Sequence, residues 1–553
     1  MEFSLAEVHD AIASAIPERD ALTYGDRRFT YGQLRDRSRQ LANYLLSQGL
    51  GVQRERTELA GHESGQDHLA IYCYNGNEYV EAMLGAFKAR VAPMNVNYRY
   101  VEEELLYLLK DSCARSIVYH AEFAPILEKV RSELPELQVL LQVADDSGNA
   151  LLPGAVDYEQ ALASASSDRP DVAWSPDDLY ILYTGGTTGM PKGVLWRSAD
   201  IYVAAMGGRR FDGSEQESLE AIVEAAKAGG SQRTLATPPL MHGASQWVAF
   251  GAMGGGDTLV FQSQAKRLDG DDVVETIERV GVTLCLIVGD AFARPILDAM
   301  HRAKERGVDL GSLQLLASGG APLSTAHKEE FLQILPNLIV MDAIGSSETG
   351  AQGSNPSSKA GAVSTGSFAP GPYTGVVSED LSRALAPGDS EMGWFAQKGR
   401  VPLGYLNDLE KTARTFCTIE DTRWSIPGDR ARFLETGLIE VLGRDSVTIN
   451  SGGEKIFAEE VEHALKLHPA VYDAVVCGRP SERWGQEVTA IVRLREGQSA
   501  QPEDLLAECA KHLARYKFPK AFLFRDEIVR SPSGKADYRW AKNEAAMDLE
   551  KEA

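Results

Sequence analysis

The stretch YTGGTTGMPKGV at residues 183–194 brings glycines, threonines and a lysine together in a pattern suited to holding a phosphate group. Glycines let the backbone come close to a ligand. Backbone amides, threonine hydroxyls and an ammonium group donate the hydrogen bonds that an anionic phosphate needs. The alternative for such a cluster is a Gly-rich surface turn. The candidate phosphate-binding residues are Thr184, Gly185, Gly186, Thr187, Thr188, Gly189 and Lys192.

This stretch differs from the P-loop pattern GxxxxGK[ST]. In a P-loop, Lys follows Gly directly and a hydroxyl residue follows Lys, whereas Lys192 lies between Pro191 and Gly193. Upstream, DDLYILYT has the apolar run of a short buried strand. The loop is therefore predicted to emerge from a strand end, where α/β folds usually bind their ligands.

Two later turns have residues that suit a nucleotide. SGGAPLS at residues 318–324 offers small residues against which a planar purine can lie, although an ordinary strand-to-helix turn has the same composition. DAIGSSETG at 342–350 is predicted to follow the strand LIVM and sets the Ser347 hydroxyl beside the Glu348 carboxylate. Hard oxygen ligands of this kind suit a phosphate and Mg²⁺, but an isolated Ser-Glu pair is usually a helix N-terminus.

Three further segments each contribute side chains that could bind a ligand or take part in catalysis. Asp429 in WSIPGDRARF can accept hydrogen bonds from both ribose hydroxyls, though a Gly-Asp pair is more often a turn. Lys535 in RSPSGKADYRW can stabilise charge that builds up on a transferring group, though a lone Lys in a polar turn is usually solvated. PPLMHGASQW supplies His242 and Trp247 before a strand, with a core or capping histidine as the alternative.

In their order and spacing, these motifs resemble the adenylate-forming superfamily, which comprises acyl-CoA synthetases, peptide-synthetase adenylation domains and firefly luciferase. The resemblance runs from a hairpin near residue 22 to Lys535 and is closest to bacterial fatty-acid or steroid side-chain acyl-CoA ligases. It implies catalytic roles for Thr188, Glu348 and Lys535. It implies nucleotide contacts at Gly320, Ala321, Pro322, Ile344, Gly345, Ser347, Asp429 and Arg444, a pantetheine path at Gly452 and Gly453, and an acyl pocket beside His242 and Trp247.

Three positions depart from the superfamily pattern. Gly185 stands where the pattern has Ser, which removes one hydroxyl donor. Ile344 stands where the pattern has an aromatic residue, so an aliphatic contact would replace stacking on adenine. Val447 stands at the hinge position, where relatives have Asp or Lys; valine is stiff at χ1 and offers no side-chain hydrogen bond.

The resemblance implies an ATP-dependent carboxylate–CoA ligase that needs Mg²⁺ and works in two steps. The acid's carboxylate first forms an acyl-AMP with release of pyrophosphate, and the thiol of coenzyme A then takes the acyl group. The expected substrate is a bulky hydrophobic acid. Two alternatives stay open: an adenylating enzyme with another acceptor, including a luciferase-like oxygenase, and a non-catalytic protein that binds nucleotide or acyl-AMP.

The elements that would position these residues follow the alternation of strand-like and helix-like runs, from Leu69 to Val118 and from Thr258 to Val340. Such alternation predicts parallel sheets covered by helices. We expect an inserted helix within 205–233 and an extended loop at 350–372. We predict an α/β fold: residues 1–443 form two sheet-and-helix subdomains plus a small barrel, and residues 444–553 form a mobile α+β domain that carries Lys535.

The bulk composition limits the classes of partner and compartment. The chain has 553 residues, enough for two to four units, and a formal net charge of −23, which argues against nucleic acid. No apolar run approaches the ~20 residues of a membrane helix, and MEFSLAEVHD lacks a signal-peptide pattern. The six scattered cysteines predict reduced thiols. We therefore expect a cytoplasmic protein, compatible with a homo-oligomer, that binds small molecules.

Overall fold

The structure, a computed structural model, describes residues 2–184, 190–210, 213–361, 363–389, 391–451, 454–481, 483–531 and 534–552. In chain order, the strands are β1 (Asp20–Tyr24), β2 (Arg27–Thr30), β3 (His68–Tyr72), β4 (Ala92–Asn95), β5 (Ser116–His120), β6 (Val139–Val143), β7 (Val156–Asp157), β8 (Leu179–Thr184), β9 (Lys192–Arg197), β10 (Arg233–Ala236), β11 (Thr258–Phe261), β12 (Leu284–Ile287), β13 (Leu315–Gly319), β14 (Ile339–Ser346), β15 (Gly350–Ser357), β16 (Ser367–Pro370), β17 (Thr374–Ser378), β18 (Gly393–Lys398), β19 (Gly404–Tyr405), β20 (Phe416–Ile419), β21 (Thr422–Ser425), β22 (Asp429–Phe433), β23 (Ile439–Arg444), β24 (Ile449–Ser451), β25 (Glu454–Ile456), β26 (Val471–Ser481), β27 (Gly485–Leu494) and β28 (Ala521–Phe524).

The helices cover the faces of the sheets that these strands form. They are α1 (Leu5–Ala15), α2 (Tyr31–Ser47), α3 (Asn77–Lys88), α4 (Glu102–Asp111), α5 (Ala124–Arg131), α6 (Tyr158–Ala163), α7 (Ser198–Ala205), α8 (Leu219–Ala228), α9 (Gly243–Gly254), α10 (Gly270–Val280), α11 (Gly289–Glu305), α12 (Thr325–Ile334), α13 (Leu409–Thr415), α14 (Ala458–Lys466), α15 (Pro502–His512) and α16 (Tyr538–Glu552). Across the described part of the chain, no helix combines the length and apolar character needed to cross a membrane.

Three sheets organise the chain. One sheet has the order β19-β9-β8-β4-β3-β5-β6-β7, parallel from β8 to β7. A second has a parallel run β1-β11-β10-β12-β13-β14 that continues as the antiparallel run β15-β16-β23-β22-β18-β21-β20. The third, formed by β24 to β28 within residues 449–524, has its own buried core of small and branched apolar side chains. The α/β prediction with parallel sheets is confirmed.

Local sequence signals account for several elements. The predicted hairpin before residue 31 forms as β1 and β2, and α2 begins with the predicted capping box: Thr30 Oγ1 accepts from Gln33 N at 3.2 Å, while the Gln33 side chain accepts from Thr30 N at 2.9 Å. Reciprocal bonds of this type satisfy two donors that a helix start leaves free. The inserted helix predicted within 205–233 is α8.

The extended loop predicted for residues 350–372 was wrong, because this segment contains β15 and β16. β15 pairs antiparallel with β14 from Val340↔Ser357 to Ser346↔Gly350. Large apolar side chains were the signal used for strands, but β15 is held by backbone hydrogen bonds at the edge of a parallel sheet and has small or polar residues. β14 also extends to Ser346, so the motif at 342–350 lies in a strand and its turn rather than after a strand.

Candidate functional site

Lys535 lies in a tight turn that packs against the N-terminal end of α11. Ser531 N donates to Lys535 O at 2.8 Å, and Lys535 N donates to Ser531 Oγ at 3.2 Å. A Cβ atom placed on Gly534, whose φ is +74°, would lie 3.2 Å from Val288 O. A Cβ on Gly320 would lie 3.8 Å from Lys535 Cε. The lysine stem therefore passes over the turn at residues 318–324, called here the predicted adenine turn.

The electrostatic surroundings of Lys535 bring the predicted site residues together. Desolvation by the surrounding protein and then the Arg444 guanidinium lower the pKa of Lys535, while Glu348 and Asp429 oppose this shift. Lys535 is nonetheless exposed to solvent. Lys535 is thus a cation within electrostatic range of two carboxylates and a second cation, and its ammonium can pair with an anionic ligand group.

Glu348 is a buried residue whose carboxylate and backbone are held by two separate elements, while a third element holds the residue before it. Its Oε1 accepts from the Tyr405 hydroxyl of β19 at 2.8 Å. Its backbone oxygen accepts from Ser425 Oγ at 2.6 Å, and the preceding Ser347 oxygen accepts from Trp196 Nε1 at 2.8 Å. The β14–β15 turn therefore holds this carboxylate in a fixed position, as a ligand-binding group requires.

Asp429 and Arg444, predicted to contact ribose, are brought together by the strand register. They stand directly opposite each other at the ends of β22 and β23, and Arg444 Nε donates to Asp429 Oδ1 at 3.2 Å. Val447, at the predicted hinge, is buried in a short 3-10 turn, Asp445–Val447, directly after β23. The predicted pair is therefore preformed next to the predicted hinge.

Thr184 and Lys192 flank the predicted phosphate loop. They are partners across the antiparallel β8–β9 pair, so the intervening residues connect two adjacent strand ends. Lys192 Nζ lies 3.1 Å from Asp408 Oδ2. Other predicted residues lie outside the described residues: Gly185, Gly186, Thr187, Thr188, Gly189, Gly452 and Gly453.

The predicted adenine residues form two backbone surfaces. Gly320 has a φ of +90°, and the Pro322 oxygen accepts from Asp290 N at 3.2 Å, which ties the turn that includes Ala321 to α11. A Cβ on Gly345 would lie 2.2 Å from Gly350 O, so only glycine fits there. Ile344 is half-buried against the apolar core of the antiparallel strands.

His242 occupies the N-cap position of α9, as the capping alternative predicted, but its side chain makes no capping hydrogen bond; Trp247 lies within that helix. Burial, followed by the charges of Lys535 and Arg99, lowers the pKa of His242 to about 3, so the imidazole is neutral at physiological pH. Its Nε2 atom is buried and has no hydrogen-bond partner among the described residues. Trp247 is buried, and a Cβ on Gly243 would lie 3.1 Å from its ring.

Sequence reasoning missed three residues of the site: Tyr405, Asp408 and Lys411. The Lys411 ammonium lies 4.2 Å from the centre of the Tyr405 ring. Asp408 caps α13 by accepting from Lys411 N at 2.9 Å and also pairs with Lys192. The helix-start pattern Asp-Leu-Glu-Lys was the available signal, but it fits any capped surface helix.

The predicted magnesium site can be tested against the donor set. In the parts of the chain that are described, no cluster of three or more His, Cys, Asp or Glu side chains could hold a metal by itself. Mg²⁺ is usually held by one or two carboxylates together with substrate phosphates and water. The fixed Glu348 carboxylate fits that mode, with the remaining ligands supplied by the nucleotide.

Comparison with known proteins places the chain among related sequences. Residues 10–393 match the family described as AMP-binding enzyme, and residues 460–535 match the AMP-binding enzyme C-terminal domain. The chain is 56% identical over 545 residues to medium-chain acyl-CoA ligase Mig of Mycobacterium avium, covering 98% of both chains.

Further relatives extend the comparison to other acids. The chain is 41% identical to a medium/long-chain-fatty-acid–CoA/3-oxocholest-4-en-26-oate–CoA ligase of Mycolicibacterium smegmatis, covering 98% of this chain and 96% of that one. Among solved structures, it matches anthranilate CoA ligase AuaEII in complex with anthranoyl-AMP (TM-score 0.82, 22% identity, 99% and 98% coverage). It also matches ATP-bound MatB of Rhodopseudomonas palustris (TM-score 0.80, 22% identity, 98% and 99% coverage). The two structural matches establish a shared fold.

Proposed function

The chain belongs to the AMP-binding enzyme family and is an AMP-forming acyl-CoA ligase, and from that premise we propose that its acid is a medium- to long-chain fatty acid. The names of the relatives from Mycobacterium avium and Mycolicibacterium smegmatis support this substrate class. The observation that carries the mechanism is the position of Lys535 over Gly320, within electrostatic range of Glu348, Asp429 and Arg444.

In the first step, a carboxylate oxygen of the acid attacks the α-phosphorus of ATP. A P–O bond to the acyl oxygen forms, the bond to the bridging oxygen breaks, and pyrophosphate leaves. Lys535 and Lys192 offset the negative charge that grows on the phosphates, while Asp429 and Arg444 hold the ribose. Positioning and fixed charges of this kind supply most of the catalysis in phosphate chemistry. Magnesium held by Glu348 would neutralise further phosphate charge.

In the second step, the thiol of coenzyme A attacks the acyl carbonyl of acyl-AMP, the thioester forms, and AMP leaves. We assign residues 444–553 as the domain that moves between the steps, with Val447 at the hinge and Gly452 and Gly453 along the path of the pantetheine arm. Lys535 then withdraws from Gly320 to admit the thiol. The neutral His242 and the buried Trp247 contribute to the wall of the acyl pocket without adding charge.

The test is pyrophosphate release and thioester formation with ATP and magnesium across linear acids of graded chain length, each run with and without coenzyme A. We expect release with medium and long chains and a CoA thioester as the product. Lys535→Ala is expected to abolish pyrophosphate release while still converting supplied acyl-AMP to thioester. The proposal would be contradicted if none of the acids led to pyrophosphate release, or if Lys535→Ala lost both half-reactions equally.

A steroid side-chain acid is a second candidate substrate. It is favoured by a 39% identical relative from Rhodococcus rhodochrous named 3-oxocholest-4-en-26-oate–CoA ligase, of which the match covers 97%. Comparing kcat/KM for the steroid acid and for the best linear acid decides between the two, because the ratio reports differential transition-state binding. A ratio above one for the steroid would replace the fatty acid as the assigned substrate.

A further inference from the structure

Alternating charges link the start of α11 to the turn that carries Lys535. Lys466 Nζ at the end of α14 lies 3.7 Å from Asp290 Oδ2 and 3.8 Å from Asp473 Oδ1. Asp473 in turn accepts two hydrogen bonds from Arg530, from Nε and from Nη2, each at 2.6 Å. This series of charges therefore connects Asp290, which lies in the part of the chain formed by residues 1–443, with side chains of the part formed by residues 444–553.

Arg530 connects this series directly to the lysine turn. Its Nη1 atom donates to the oxygen of Gly534 at 3.1 Å, and Gly534 immediately precedes Lys535. Its Nη2 atom also donates to Ala474 O at 3.4 Å. One guanidinium therefore fixes the turn to β26, the strand that bears Asp473, and the orientation of Lys535 depends on where that strand lies.

The other end of the series is fixed to the predicted adenine turn. Asp290 Oδ1 accepts from Ser324 N at 2.8 Å and lies 2.8 Å from His327 Nδ1. Asp290 N donates to Pro322 O at 3.2 Å. The carboxylate that contacts Lys466 is therefore held by the same turn over which the Lys535 stem passes.

The four charged side chains are largely removed from solvent. Their exposed fractions lie between 11% and 14%. Exposed ion pairs contribute little because water screens them, whereas removing one partner of a buried pair leaves an uncompensated charge. The contact between Asp290 and Lys466 is therefore expected to bias how residues 444–553 dock on the rest of the chain.

We propose that Lys466, Asp473 and Arg530 are positioning residues, which through Asp290 set Lys535 over the adenine turn for acyl-AMP formation. This inference rests on the proposed role of Lys535 in the first step. The Asp290–Lys466 contact joins the two parts of the chain only in this docked arrangement, so it acts in the first step and not in the second. Arg530 and Asp473 connect Lys466 to the turn that carries Lys535, so the position of this turn follows the docking of residues 444–553.

The experiment measures the two half-reactions separately in Lys466→Met. The kcat for pyrophosphate release is expected to fall about tenfold, which is less than the loss of about a hundredfold in rate that a misplacement of about 1 Å can cause. The KM for ATP and thioester formation from supplied acyl-AMP are expected to stay unchanged. Lys466→Arg keeps the charge and should restore most of the activity. Circular dichroism and the unfolding midpoint establish that each variant is folded.

Lys455→Met is the matched control. Lys455 Nζ also crosses between the two parts of the chain, lying 3.4 Å from Glu379 Oε1, but both side chains are about half exposed (46% and 54%). Among the described residues of the turn that carries Lys535, neither side chain has a hydrogen-bond or ion-pair partner. Its pyrophosphate release should equal that of the wild type. This control separates the effect of losing an exposed pair between the two parts of the chain from the effect of losing the buried Asp290–Lys466 pair.

Asp290→Asn supplies an independent measurement from the other side of the contact. It keeps an oxygen for Ser324 N while removing the charge that faces Lys466. The double variant Lys466→Met/Asp290→Asn should be no slower than the slower single variant, because both changes remove one interaction. Additive losses, wild-type rates in Lys466→Met, or equal loss of both half-reactions would each overturn the inference.

Lys535→Ala separates this inference from the proposed function. If Lys535→Ala releases pyrophosphate normally, the role of the lysine itself is wrong, whatever Lys466→Met does. If Lys535→Ala is inactive in the first step while Lys466→Met is normal, the role of Lys535 stands and the positioning series is rejected.

Discussion

At the scale of single residues, the Tyr405 hydroxyl decides how firmly Glu348 is held. Burial and the adjacent Glu348 carboxylate raise the pKa of Tyr405 well above its usual value, so the hydroxyl keeps its proton and donates it at 2.8 Å. Tyr405→Phe should lower the free energy of unfolding by about 1 kcal/mol. It should also raise the magnesium concentration needed for half-maximal pyrophosphate release, because the carboxylate loses its orientation. A magnesium titration measures this.

Tyr158→Phe is the control for that prediction. The Tyr158 hydroxyl donates to Glu81 Oε2 at 3.0 Å, both side chains are buried, and neither residue is among the predicted site residues. It should lose similar stability without any change in the magnesium dependence. Equal magnesium dependence in the two variants would remove Glu348 as the metal-binding group.

The prediction of the site residues rests on motif order. Glu348, Asp429, Arg444 and Lys535 each stand in a short segment with little specificity of its own, and only their sequence order predicted that they meet. Tyr405 could not be predicted, because the contact between its hydroxyl and Glu348 joins residues 57 positions apart. Partners of that kind are set by how β19 packs, not by local composition.

At the scale of elements, α13 links the stability of the fold to the site through one side chain. Asp408 caps the helix and pairs with Lys192. Asp408→Ala should lower the free energy of unfolding by about 1 kcal/mol, the usual effect of losing an N-cap. Asp408→Asn keeps a capping oxygen and should be close to the wild type in stability. Both variants should raise the KM for ATP, since Lys192 loses the carboxylate that orients it.

Thermal unfolding and ATP kinetics on both variants test this prediction together. If Asp408→Asn has the wild-type KM for ATP, the Lys192 contact does not orient the phosphate loop. If Asp408→Ala is as stable as the wild type, the cap does not support α13.

Strands and helices whose apolar side chains recur at regular spacing could be predicted from the sequence. Strands that depend on backbone pairing with a neighbouring strand could not. The alternating strands and helices from Leu69 to Val118 formed parallel sheets as expected. β15 was missed because Gly350–Ser357 has the composition of a loop and becomes a strand only beside β14. Such tertiary pairing overrides local propensity.

At the scale of the whole molecule, the predicted boundary after residue 443 matters because Lys535 must leave the nucleotide between the two steps. The third sheet has a separate core, and the contacts between that part of the chain and the rest include the lysine turn, the Asp290–Lys466 and Lys455–Glu379 pairs and the segment around the predicted hinge. Sequence alone indicated a separate unit, since the strand-helix pattern starts again after Gly443. It could not indicate the docking, which depends on contacts between residues far apart in the chain.

A disulfide across this docking surface tests the need for movement. A Cβ on Gly534 would lie 3.4 Å from Ala291 Cβ, close to the ~3.5–4.5 Å that disulfides require. In a Cys113→Ser background, which removes an exposed thiol, we expect oxidised Ala291→Cys/Gly534→Cys to release pyrophosphate but to form no thioester from supplied acyl-AMP. Reduction should restore thioester formation. The positive φ of Gly534 costs a substituted residue about 1 kcal/mol, so the reduced double variant and both single variants are the references. Equal thioester rates before and after reduction would mean that Lys535 need not leave its turn over Gly320.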